Sequence, residues 1–110
     1  MTSPTEEFFA ELERRGHEPL LSKAKGSIRF DVVDGKRTSR WLVAVDRGDV
    51  SVSRRNASAD STVRIDRALF DRVVTGRANA MAEVLRGTIA VKGELQPVIL
   101  FQRLFPGPTR

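Results

Sequence analysis

A chain of 110 residues with 40% apolar and 30% charged side chains is too hydrophobic for a disordered segment and has room for one core of ordinary size. It contains no cysteine and a single histidine, which excludes a disulfide framework and a thiolate zinc site. The formal charge of +5 comes from arginines and lysines dispersed among Asp and Glu along the whole length, a pattern of solubility rather than of a dedicated nucleic-acid face.

The opening MTSPTEEFFAELERRG has neither the basic head nor the apolar run of a secretory signal. No stretch approaches the roughly 18 apolar residues of a membrane span. The expectation is a cytoplasmic protein forming a single domain over residues 1–110, with a flexible tail from about residue 106, where Pro106-Gly107-Pro108 begins.

Ser3, Pro4 and Glu6 offer an N-cap, a first-turn proline and the returning carboxylate of a capping box, and Gly16 can stop the helix in the left-handed conformation. Phe8, Phe9 and Leu12 share a face of that helix. After a connector, Ile28, Phe30 and Val32 alternate with Arg29 and Asp31, the period-two pattern of a strand with one wet face, broken at Asp34-Gly35. Trp41, Val43 and Val45 alternate next, with Leu42 and Ala44 also apolar, so this strand is expected to be covered on both faces. Arg47-Gly48 turns the chain tightly into Val50 and Val52.

The polar stretch RRNASADS precedes a fourth strand at Val63 and Ile65. Asp66 can cap a helix carrying Leu69, Phe70, Val73 and Val74 on one arc, with Gly76 as its stop. Asn79 can cap another, with Met81, Ala82, Val84 and Leu85 on one side and Gly87 as its stop. Ile89 and Val91 mark a last strand, and Pro97 suits the first turn of a final helix from Leu95 to Phe105. Leu95, Val98, Ile99, Leu100, Phe101, Leu104 and Phe105 leave only Gln102 and Arg103 as the main polar interruption. A helix apolar on nearly all sides requires cover on nearly all sides, from core, partner subunit, membrane or ligand.

Groups that perform chemistry are scarce. His17, beside Glu18 and just past a helix stop, has the setting of a surface or capping residue. The carboxylates of Asp46-Arg47-Gly48-Asp49 are wrongly spaced for a calcium loop, and Gly35-Lys36 is followed by Arg37 with no preceding glycine motif, so no phosphate-binding loop is matched. Asp31, Asp34, Asp46 and Asp66 each have a turn, cap or wet-strand explanation. No catalytic residue, metal site or cofactor is expected.

Three stretches carry a resemblance: Ile28-Arg29-Phe30-Asp31-Val32 leading into Asp34-Gly35, LFDRVVTGRANAM ending at Met81, and Gly87-Thr88-Ile89-Ala90-Val91-Lys92-Gly93. In this order and spacing the chain resembles the sterol carrier protein type 2 family of nonspecific lipid-transfer proteins over about residues 5 to 105. The resemblance implies an α+β fold, a five-stranded, twisted, mostly antiparallel sheet covered on one face by helices that enclose an apolar cavity. It also implies a non-enzymatic role, binding or transferring a fatty acid, acyl-CoA, sterol or other lipid. The end Pro-Thr-Arg lacks the peroxisomal address of the longer eukaryotic members, a departure that weighs against sterol within that range of ligands.

The expected cavity walls are Trp41 and Val43 from the sheet, Phe70 and Val74 from the first covering helix, Met81 and Leu85 from the second, and Leu100, Phe101, Leu104 and Phe105 from the last. Gln102 or Arg103 would hold a polar head at the mouth. The expected partners are an apolar small molecule and, transiently, an anionic membrane surface, with no nucleic acid. The alternative is an interaction or dimerisation module of the same fold, without a ligand cavity; the oligomeric state stays open at this point.

Overall fold

The computed structural model describes residues 3–105. The tail expected from about residue 106 lies outside the described residues. Helix α1 (Pro4–Arg15) starts as its sequence dictates: the Ser3 hydroxyl accepts from the Glu6 N–H at 3.2 Å, and the Glu6 carboxylate accepts from the Ser3 N–H at 3.4 Å. Gly16, at φ 67°, closes it. A 3-10 turn (Pro19–Leu21) leads to β1 (Lys25–Asp34), β2 (Arg37–Asp46), β3 (Asp49–Ser53) and β4 (Ser61–Asp66). Helices α2 (Arg67–Val74) and α3 (Ala80–Arg86), strand β5 (Ala90–Gly93), helix α4 (Gln96–Phe101) and a second 3-10 turn (Gln102–Leu104) complete the chain.

The strands form one sheet in the order β3-β2-β1-β4-β5, in which β1 and β4 are parallel and the other pairs antiparallel. The β2–β3 hairpin closes between Asp46 and Asp49 through Arg47 (φ 51°) and Gly48 (φ 94°). Two successive positive φ values match the right-handed twist of the flanking strands. The chain leaving α1 then covers part of the β3 edge: Val50 N–H donates to Gly16 O at 2.9 Å and Glu18 N–H to Gly48 O at 2.7 Å.

The central strand is β1, not β2. Ala44 of β2 is exposed and Leu42 only half-buried, so the expectation of a strand covered on both faces is corrected: the helices occupy one side of the sheet. On the other side the chain between β3 and β4 passes over β1, where Ser27 N–H donates to Asp60 Oδ2, Asp60 N–H donates to Ser27 Oγ, and Arg29 donates to Ala57 O. Asp31 belongs to that outer side and is nevertheless buried. Arg29 grips its carboxylate through Nε and an Nη at 2.9 and 3.1 Å, and Arg40 Nε lies 3.6 Å away. The wet-strand reading of Asp31 fails because guanidinium groups, not water, surround it.

On the helix side, the six phenylalanines and the single tryptophan join one cluster. Phe9 stacks on Trp41 at 4.8 Å and packs against Phe30 and Phe70, while Phe8 meets Phe70, Phe101 and Phe105. The cluster bonds α1, α2, α4 and the sheet into one core by offset and edge-on ring contacts. Two local expectations change. Asp66 holds the N-cap position of α2 without a side-chain hydrogen bond to it. The last helix is not continuous to Phe105: α4 ends after six residues and tightens into the 3-10 turn, the common way for short helix ends to satisfy their carbonyls.

Candidate functional site

Alternation along β1 and β4 sends Phe30, Val63 and Ile65 to the helix side, where the register sets Phe30 opposite Val63. Phe70 and Val73 of α2 descend on them, Ala80, Met81 and Val84 come from α3, and Val98 and Phe101 from α4. Ile89, Gln102 and Phe105 complete the lining of a chamber between sheet and helices. Gln102 supplies its one side-chain amide; every other wall is hydrocarbon or thioether. Such a chamber offers apolar contact and no acid, base or nucleophile.

Its free volume is about 30 Å³, where ligand pockets typically have about 300–1,000 Å³. The protein's own rings occupy the space. Phe101 is 2% exposed and sits 5.0 Å from Phe30 and 5.7 Å from Phe105, ring centre to ring centre. The surplus of apolar surface expected of the last helix is therefore consumed in two ways: Phe101 and Phe105 plug the chamber, while Leu95 and Ile99 face outward at 49% and 38% exposure.

Of the residues expected to form the walls, Phe70, Met81, Phe101 and Phe105 come together around the chamber. Val74, Leu100 and Leu104 pack half-buried against the core beside it. Val43 is wholly buried in the core elsewhere under the helices, and Trp41 lies on Phe9 at the α1 side. Leu85, at 85% exposure, points into solvent, while Ala80, Met81 and Val84 of the same helix line the chamber. Of the two candidate mouth groups, Gln102 lines the chamber and Arg103 is exposed. Sequence reasoning missed Phe30, Val63, Ile65, Val73, Ala80, Val84, Ile89 and Val98 as walls. Their period-two and helical-arc patterns announced inward positions, but only the parallel pairing of β1 with β4 tells that these two strands share the chamber floor.

The sequence matches the model of the SCP-2 sterol transfer family over residues 8–106. Comparison with curated proteins found no match. Among solved structures, sterol carrier protein 2 from Yarrowia lipolytica, in its apo form, superposes with a TM-score of 0.74 at 21% identity, over 91% of this chain and 88% of that one. Sterol carrier protein 2 from Aedes aegypti, solved in complex with palmitate, gives 0.71 at 17% identity over 94% of each. A sec-alkyl sulfatase also contains the fold: it gives 0.72 at 15% identity over 94% of this chain but only 16% of that one. These likenesses establish the α+β architecture, and the family match spans nearly the whole sequence. The chain belongs to the SCP-2 sterol transfer family.

Proposed function

We propose that the chain binds a lipid with a single apolar chain, of the fatty-acid class, in the chamber between sheet and helices, and carries it without chemical change. The observation that carries this reading is the chamber lining, apolar throughout except for Gln102. The palmitate complex of the Aedes aegypti relative supports the choice of class. At about 25 cal/mol per Å², covering roughly 400 Å² of hydrocarbon is worth on the order of 10 kcal/mol before ordering costs. Binding of that kind selects a size range rather than one compound.

A ligand enters only if the plug moves. The unit formed by α4 and the following 3-10 turn is the part suited to do so, since neither of its starts has a side-chain cap and its hold on the core is apolar. Its root is firm: Ser61 Oγ donates to Glu94 O, and Glu94 N–H donates to Asp60 O at 3.0 Å. Phe101 and Phe105 would swing outward about that root and rest on the ligand. Among the described residues no helix is long and apolar enough to cross a membrane; the positive balance of the chain favours transient contact with anionic bilayers in the cytoplasm.

The second reading, an interaction module of the same fold, is favoured by the small free volume and by the exposed Leu95 and Ile99. Titration with a fluorescent fatty acid, paired with native mass spectrometry of the purified chain, separates the two. Saturable one-to-one uptake by a monomer supports the carrier. A chain that takes up no fatty acid and sediments as a dimer supports the module and removes the carrier.

A further inference from the structure

A second pocket opens on the helix side of the sheet and shares no lining residue with the chamber. Along β2, Arg37, Ser39 and Trp41 alternate onto the same face as Val43. Beyond Trp41 the helices give out, so Ser39 and Arg37 border a pocket of about 220 Å³ under the first turn of α1. Three guanidinium groups line it. Arg67 is spoken for: it lies 2.9 Å from Asp34 Oδ2 and 3.6 Å from Glu6 Oε1, and these are the pocket's two carboxylates.

Arg54 is held but not neutralised. Its guanidinium carbon lies 4.1 Å from the centre of the Trp41 ring, and its Nε donates to Arg40 O at 3.0 Å. Neither of its terminal nitrogens has a partner among the described residues, and neither does any part of the Arg37 guanidinium. Three guanidinium groups against two carboxylates leave the pocket positive, and the fork of Arg54, held on Trp41, together with that of the exposed Arg37, which no carboxylate engages, forms the arrangement that recognises a carboxylate or a phosphate. The pocket continues past Trp41 and Arg54 into a groove of about 370 Å³ where Phe9, Ala10 and Val52 offer apolar contact for what the anion is attached to, and where the carboxylates of Glu6 and Glu13 also stand.

We propose that Arg37 and Arg54 form an oxyanion site for a phosphate or carboxylate borne on a short apolar body, separate from the lipid chamber. The single tryptophan reports on it, because an anion drawing on Arg54 alters the cation–π contact with Trp41.

The test is a titration of the full chain with inorganic phosphate, hexyl phosphate, hexanoate and neutral hexanol, followed by tryptophan emission and by calorimetry. Hexyl phosphate is expected to saturate the site at least tenfold more tightly than inorganic phosphate. Arg37→Gln, an exposed side chain without a partner, should weaken it about tenfold and leave fluorescent fatty-acid uptake by the chamber within twofold. Arg54→Gln should do the same by calorimetry, and Asp34→Asn, which releases Arg67, should tighten binding severalfold. Equal affinity for inorganic and hexyl phosphate keeps the oxyanion site and assigns it to free anions. Hexanol binding as well as hexyl phosphate, or unchanged affinity in both arginine variants, overturns the proposal whatever the chamber does.

Discussion

Asp71 Oδ1 accepts two hydrogen bonds from Thr5, one from its backbone N–H at 3.0 Å and one from its hydroxyl at 2.6 Å. The N–H lies in the first turn of α1, where no carbonyl of the helix can accept it, and Thr5 is buried. A carboxylate from the middle of α2 thus caps α1 from outside and locks the two helices that roof the core. Asp71→Ala is expected to cost about 2–3 kcal/mol, since it strands a buried donor pair, and Asp71→Asn about 1 kcal/mol. Urea unfolding should show a lower midpoint at unchanged slope. A loss below about 0.5 kcal/mol in Asp71→Ala would show that water replaces the carboxylate freely.

Gly93 ends β5 at φ 89°, and a Cβ there would lie 2.3 Å from the carbonyl oxygen of Asp60, a backbone atom that cannot yield without pulling β4. Gly35, at φ 62°, has nothing within 4 Å of its would-be Cβ. Both glycines adopt a left-handed backbone, so the difference between them is space. Gly93→Ala should lose about 3 kcal/mol or more, and Gly35→Asn less than about 1 kcal/mol, because Asn tolerates that conformation. Thermal unfolding of the two variants side by side checks the ranking. Gly93→Ala should also loosen α4, whose root is the same junction.

Asp31 holds Arg29 and Arg40 together on the outer face of the central strand, and Arg64 is its cross-strand partner on β4. Removing the carboxylate leaves like charges facing one another with no counterion. Asp31→Ala should destabilise by about 2–3 kcal/mol, below the full penalty of a broken buried pair because Arg29 and Arg40 keep part of their surface in water. Arg29→Ala added to Asp31→Ala should recover about 1 kcal/mol of that loss. A double mutant as unstable as the sum of the singles would mean that Arg29 packs for its hydrocarbon alone.

Local chemistry was legible and long-range pairing was not. The capping box at Ser3 and Glu6, the Asn79 cap and the left-handed stops at Gly16 and Gly87 all appear where residue type and spacing demanded. These features are decided within one or two turns of chain. The placement of Trp41 and Leu85 was not, since each depends on which face of an element meets which neighbour. Leu85 shares an arc with Met81 on α3, yet in the helix's last turn it faces solvent, while Met81 lines the chamber with Ala80 and Val84. Trp41 belongs to an inward-facing row, yet β1 separates its strand from β4, which carries the chamber floor. Arg29, which grips Asp31, was visible in the pattern of β1, but the second guanidinium group, Arg40, is brought beside it by a hairpin, and the pattern of β1 alone contains no trace of it.

The plug makes the carrier reading testable from both sides. Phe105 is half-buried and touches Phe8, Phe70 and Phe101, ring centroids 5.4 to 5.8 Å apart. Phe105→Ala removes a ring that a ligand must otherwise displace, so it should tighten fatty-acid binding severalfold while lowering stability by about 1–2 kcal/mol, less than a fully buried phenylalanine would. Ala80→Leu does the reverse. It adds three carbons to a wall of a space of about 30 Å³, which costs about 1 kcal/mol of strain and should weaken uptake at least tenfold. A ligand seated on the outer surface, or a chain that only binds a partner through Leu95 and Ile99, would respond to neither change. Opposite shifts in the two variants, measured against the same fluorescent fatty acid, require that the acyl chain occupy the volume these two side chains contest.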